Sequence, residues 1–125
     1  PDNKIAIVSN TADYIVDFML QEFGIKDLFH EVLGLAYDYD QKIAKPSPKG
    51  IISVLDRLNF DSSTSHAIMV GDSRVDVIAA KRANIHACLL LRDNKYEKEQ
   101  EKEFKSWGYK PDLIIDSLYE LINLI

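Results

Sequence analysis

The sequence predicts an α/β fold, three layers built on a mainly parallel sheet, and two features of the chain carry that prediction. Short, solid apolar runs alternate with segments of helical periodicity, and each apolar run gives way to a polar turn. Solid runs suit strands covered on both faces, because the helices linking parallel strands lie against both sides of their sheet.

Residues 5–8 read Ile-Ala-Ile-Val, a buried strand that Ser9-Asn10 break. Residues 11–23 follow as a helix. Ile15, Phe18, Met19 and Phe23 fall at helical spacing, Asn10 or Thr11 caps the start, and Gly24 takes the left-handed stop. Residues 32–35 are a weaker strand with a glycine inside it, and a polar loop with Asp38 and Asp40 comes next. Ser47 caps and Pro48 opens a helix whose Ile51, Val54, Leu55 and Leu58 share one face.

Beyond a polar loop at 61–65, residues 66–70 read as a buried strand and Gly71-Asp72-Ser73 as its turn. Residues 75–83 are a helix in which Ala79 and Ala80 permit close packing on a sheet. The longest apolar run, 85–91, is the next strand. The charged stretch 93–105 is a helix with Tyr96, Phe104 and Trp107 on one face, and pairs such as Glu101 and Lys105 support its solvated side. Residues 113–115 are a last strand. Ser117-Leu118-Tyr119-Glu120 is a capping box that opens a helix with Leu118, Leu121, Ile122 and Ile125 along one side. No repeat, low-complexity tract or linker interrupts the chain, so residues 1–125 read as one core domain.

Composition narrows the function. With 125 residues, 46% of them hydrophobic, the chain can bury a core, and a net charge of −5 supplies no basic field for a polyanion. Nucleic acid and membrane surfaces are therefore poor partners, and a small solute is the expected one. No apolar run approaches the roughly 18 residues of a membrane span, and the start Pro1-Asp2-Asn3-Lys4 has no hydrophobic leader region. The one cysteine, Cys88, sits in an apolar run, as expected of a reduced, buried thiol in a cytoplasmic protein. His30, His66 and His86 show no ligand spacing and read as structural residues.

Ligands of open α/β sheets bind at the carboxyl ends of the strands, so the chemistry is sought in the turns that follow them. Ser9 and Asn10 offer a hydroxyl and backbone N–H groups ahead of a helix, where phosphate oxygens are held. Lys45, fixed before Pro46 and Pro48, offers a full positive charge that offsets a phosphoryl group and a neighbouring carboxylate together. Asp72 and Asp76, four apart across a turn and a first helical turn, are hard oxygen ligands of the kind magnesium takes alongside waters and a phosphate oxygen. Asp72 is the expected direct ligand, with Asp76 acting through water.

In order and spacing, Ile5-Ala-Ile-Val-Ser9-Asn10, Lys45-Pro46-Ser47-Pro48 and Met69-Val70-Gly71-Asp72-Ser73-Arg74-Val75-Asp76 resemble the second, third and fourth motifs of the haloacid dehalogenase superfamily. The wording is closest to its phosphoglycolate-phosphatase-like subset. The resemblance implies a Rossmann-like core, a Mg2+ cofactor, and a small phosphorylated metabolite hydrolysed through an aspartyl phosphate. It casts Ser9 and Lys45 as catalytic, Ser9, Asn10 and Lys45 as phosphate-binding, and Asp72 and Asp76 as metal ligands.

The family's first motif is a central strand ending in Asp-x-Asp, and no such strand precedes Ser9. Asp38-Tyr39-Asp40 comes after the second motif and reads as a polar loop. Without the nucleophile the chain is expected to be inactive alone, the core of a longer enzyme; otherwise the strands on either side of the gap pair directly, or a further segment or a homodimer fills it. The alternative is a non-catalytic phosphate-binding or regulatory module that lost its nucleophile. A two-component receiver would need its lysine after the aspartates, and Lys45 comes before Asp72.

Overall fold

A computed structural model describes residues 3–36, 42–91 and 98–123 of the chain. It divides into two compact units, Pro1–Ser65 and His66–Ile125. Both are α/β, and every described strand pairing is parallel.

The first unit holds β1 (Ala6–Ala12), α1 (Asp13–Glu22), a 3₁₀ turn (Lys26–Leu28), β2 (Glu31–Leu35) and α2 (Lys49–Arg57). β1 runs parallel to β2, with Val8 opposite Leu33 and Ala12 opposite Leu35. Three residues, Ser9 to Thr11, therefore face the single Gly34, and β1 is irregular at that point. Ser9-Asn10 do not break the strand, contrary to the expectation from sequence; they form a bulge within it.

Gly34 makes the bulge possible. A Cβ there would lie 2.7 Å from Asp13 Cα and 3.0 Å from Thr11 O, so only a residue without a side chain lets the start of α1 cross β2 this closely. The glycine that weakened the strand signal is thus a packing requirement. His30 extends the pairing, its Nδ1 accepting from Ile5 N at 3.1 Å while its own N donates to Ile5 O at 2.8 Å, which is the structural role expected of it.

α1 departs from the expected face. It starts at Asp13 after Ala12, with no side-chain cap from Asn10 or Thr11, and buries Val16 and Leu20. Phe18 and Phe23 are 62% and 71% exposed, and Tyr14, Ile15 and Met19 are exposed with them. The helix is apolar over more than one face, so periodicity alone offered two choices, and the later start turns the Val16 face inward. α2 buries Ile51 and Val54 as its pattern predicts, but it starts one residue later than expected: Pro48 is the cap residue, and Ser47 Oγ accepts from Lys49 N without capping the helix.

The second unit holds β3 (Ile68–Gly71), α3 (Arg74–Arg82), β4 (His86–Leu90), α4 (Lys98–Trp107), β5 (Leu113–Ile115) and a closing 3₁₀ segment (Leu118–Asn123), with strands in the order β3-β4-β5. Ala79 and Ala80 are 0% exposed, the close helix-to-sheet packing their size suggested. Phe104 is buried and meets Trp107 edge-on, ring centroids 4.9 Å apart, while Tyr96 and the Asp38-Tyr39-Asp40 triplet lie outside the described residues. His66 and His86 are exposed, not set within the core. Cys88 is a free, buried thiol, and burial pushes its pKa up, which keeps it in the unreactive protonated form.

The expected closing α-helix is a 3₁₀ segment. Glu120 Oε2 accepts from Asp116 N and Ser117 N, and Leu118, Tyr119 and Ile122 are exposed, so no apolar face is buried to draw out an α-helix. Among the described residues, no helix is long and apolar enough to cross a membrane.

The four described α-helices each stop on a left-handed residue: Gly24, Asn59, Asn84 and Gly108. In the first three the following residue, Ile25, Phe60 or Ile85, donates its N–H back to Leu20, Leu55 or Ala80, the six-to-one bond of a Schellman motif. That bond turns the backbone out of the helix at each of these stops.

Asp112 ties the start of β5 to β4 and α3. Its Oδ2 accepts from Ala87 N at 2.8 Å and lies 2.9 Å from Lys81 Nζ. Partial burial would raise its pKa, but the Ala87 amide, the Lys81 ammonium and the nearby His86 outweigh that and hold it below the ordinary carboxylate range. The folded-state value lies below the unfolded one, so the stabilisation is present above the unfolded pKa near 3.9 and is lost as pH falls through the folded one. Asp112→Asn is expected to lower stability by about 1 kcal/mol at pH 7, a magnitude discounted for the half-exposed site. In urea titrations that difference should shrink below about pH 4; a difference unchanged there would count against the charge as its source.

Candidate active site

In the first unit the β1 bulge and the loop before α2 meet. Lys45 Nζ donates to Val8 O at 2.7 Å, which places the ammonium where the regular pairing of β1 gives way to the bulge, one residue before Ser9. Asn10 holds the same lysine by its backbone: Oδ1 accepts from Lys45 N at 2.8 Å, and Nδ2 donates to Lys45 O at 2.9 Å. The Lys45-Pro46 peptide is cis. Ser9 Oγ accepts from Thr11 N at 3.0 Å, a contact that leaves the hydroxyl proton to donate elsewhere. Ser9, Asn10 and Lys45 thus form one cluster, 35 residues of sequence drawn together at the bulge of β1. Its chemistry is a hydroxyl donor beside a half-buried cation, a pair suited to an anion with several oxygens.

In the second unit Asp72 and Asp76 flank the turn from β3 into α3. Asp72 is exposed at the end of the strand, and Asp76 is 7% exposed. Asp76 Oδ2 accepts from Ser73 N at 3.3 Å and from Ser73 Oγ at 3.1 Å, the capping box of α3. Gly71 is shaped around this carboxylate. A Cβ on it would fall inside contact distance of Asp76 Oδ2, Cγ and Cβ, so the strand end and the aspartate share one space. Asp76 therefore has a structural task that the spacing of the aspartates did not reveal; Ser73, three residues before an acid at a helix start, was the signal for it.

The fit to magnesium follows from these donors. Among the described residues no three His, Cys, Asp or Glu side chains gather as a ready-made metal cage. Magnesium does not need one: it keeps several waters and binds through one or two carboxylates plus phosphate oxygens. An exposed Asp72 and a buried Asp76 four residues on match that sparse donor set.

Three relatives frame the chain. It is 30% identical over 122 residues to the phosphoglycolate phosphatase of Vibrio vulnificus, covering 97% of this chain and 48% of that protein. It is 27% identical over 125 residues to the pyrophosphatase PpaX of Oceanobacillus iheyensis, covering 98% of this chain and 52% of that protein. The magnesium-bound YfnB of Bacillus subtilis shares its fold with a TM-score of 0.68 at 19% identity, over 97% of this chain and 47% of that one. The chain spans about half the length of the curated relatives it matches. The family model for the haloacid dehalogenase-like hydrolases matches residues 2–90, most of the chain and all three motif segments, and to that family the chain belongs.

Proposed function

We propose that this chain is the core of a magnesium-dependent phosphomonoester hydrolase, acting through an aspartyl phosphate whose nucleophile lies on a segment outside it. The observation that carries the reading is the Lys45 ammonium bonded to Val8 O beside Ser9, where the regular pairing of β1 stops and its bulge begins. Lys45 offsets the charge of a phosphoryl group approaching a carboxylate, and Ser9 donates its hydroxyl proton to a phosphoryl oxygen. Asp72 and Asp76 would hold the metal, Asp76 through water, and the bound metal would neutralise charge on the transferring group. The two curated relatives are named as a phosphoglycolate phosphatase and a pyrophosphatase, which supports a small phosphate-bearing substrate here.

The sheets support a role for a further strand. Among the described residues β1 pairs only with β2, and β3 only with β4, so each keeps one edge to which a strand can add. Hydrolysis of p-nitrophenyl phosphate with magnesium tests the reading. The chain by itself is expected to show no turnover above background. Joined to a strand segment ending in Asp-x-Asp it should show turnover that requires magnesium and disappears in Asp72→Ala. Turnover by the chain alone that survives Asp72→Ala would defeat the mechanism. No turnover with any Asp-x-Asp segment would favour a binding module.

A further inference from the structure

We propose that Asn10 is a positioning residue, whose carboxamide sets where the Lys45 ammonium sits and does not itself hold the phosphate. The proposal rests on the reading of Lys45 as the charge-balancing group. Three contacts run between residues 8–10 and Lys45: Asn10 Oδ1 from Lys45 N, Asn10 Nδ2 to Lys45 O, and Lys45 Nζ to Val8 O. The first two need a donor and an acceptor on one short, planar group. Among side chains of this length only asparagine presents both. Aspartate has the same shape, but it has no donor for Lys45 O and would face that carbonyl with a charged oxygen.

Geometry also explains why the clamp matters to the ammonium. A free lysine side chain explores many rotamers. With its own peptide gripped from both sides, the chain from Cα to Nζ is left with a single anchored origin, and the Val8 carbonyl collects its far end. The clamp lies at the exposed surface, where hydrogen bonds contribute modestly to stability, so its loss should leave the unit folded while releasing the lysine. Asn10 sits on the bulge that Gly34 accommodates, so the irregular stretch of β1 is what aims it at the loop.

Competitive acetylation by limiting acetic anhydride, read per lysine by peptide mass spectrometry, tests this without any assay of catalysis. In Asn10→Ala and Asn10→Asp, Lys45 should label at least about threefold faster than in the native chain, as expected of an amine freed from a hydrogen bond. Lys26, which pairs with Asp17 in the same unit, and Lys4, whose Nζ donates to Leu58 O, should be unchanged, which excludes unfolding as the cause. In the form carrying an Asp-x-Asp segment, both variants should lose about tenfold or more in kcat with KM little altered, since misplacement near 1 Å costs that much. Lys45 labelling unchanged in both variants overturns the proposal. Faster labelling with full kcat supports the clamp and instead removes Lys45 from the chemistry, which separates failure of the functional reading from failure of this one.

Discussion

Gly71→Ala is expected to destabilise the second unit by about 2–4 kcal/mol, the sum of an overpacked site and a disturbed helix cap. The new methyl group would occupy the space of Asp76 Oδ2, Cγ and Cβ. Asp76 cannot step aside cheaply, because it is buried and its Oδ2 is bonded to Ser73 N and Oγ at the start of α3. Urea denaturation gives the loss directly, and a double-mutant cycle assigns it. In an Asp76→Gly background, where the obstructing atoms are gone, Gly71→Ala should cost under about 1 kcal/mol. An equal cost in both backgrounds would place the clash elsewhere. The same pair bears on the site, since a displaced Asp76 also disturbs the turn that presents Asp72.

Lys45→Met, made in the form that carries the nucleophile, is expected to lower kcat about 10²–10³-fold with KM nearly constant. Methionine keeps the bulk of the side chain and removes its charge, so packing in the half-buried loop is conserved while the bond to Val8 O is lost. A hydrogen bond from a charged donor is worth about 1.5–3 kcal/mol, which is less than the roughly 5–15 kcal/mol that holds a domain folded. Lys45→Arg should restore less than a tenth of the native rate, because a planar guanidinium cannot occupy the point where a compact ammonium meets one carbonyl. A loss below tenfold in Lys45→Met, with the protein folded, would take the charge out of the rate-determining step.

Much of this was legible because the governing physics is local. The solid run at 85–91 became β4, with Ala87, Cys88 and Leu89 almost wholly buried, and Ala79 and Ala80 announced a helix pressed on a sheet. The motif segments could be read because a lysine before prolines and an aspartate after a glycine sit where the chain turns, and a serine closing an apolar run marks where regular pairing stops. What escaped the sequence depends on contacts across it. The β1 bulge is invisible in residues 9–11 alone; it exists because Gly34, more than twenty residues later, leaves room for it. The bonds from Asn10 to Lys45 likewise join distant loops, and at short range Asn10 reads only as a helix cap. The buried face of α1 escaped for a different reason: its apolar residues nearly encircle it, and only the sheet beneath selects Val16 and Leu20.

The repeated helix stops carry a consequence for how the chain reaches this structure. Parallel strands have no hairpin to bring them together, so their pairing must wait on contacts distant along the chain, and such topologies fold slowly. A bond from Ile25 back to Leu20, or from Ile85 back to Ala80, closes within six residues and can form while the rest is still unfolded. Each helix thereby acquires its limit early, before the following segment has found a neighbour. Since β4 begins only two residues after Asn84, a helix overrunning by one turn would consume the strand's first residues. Left-handed asparagines and glycines at these four points keep helix and strand from competing for the same residues during assembly.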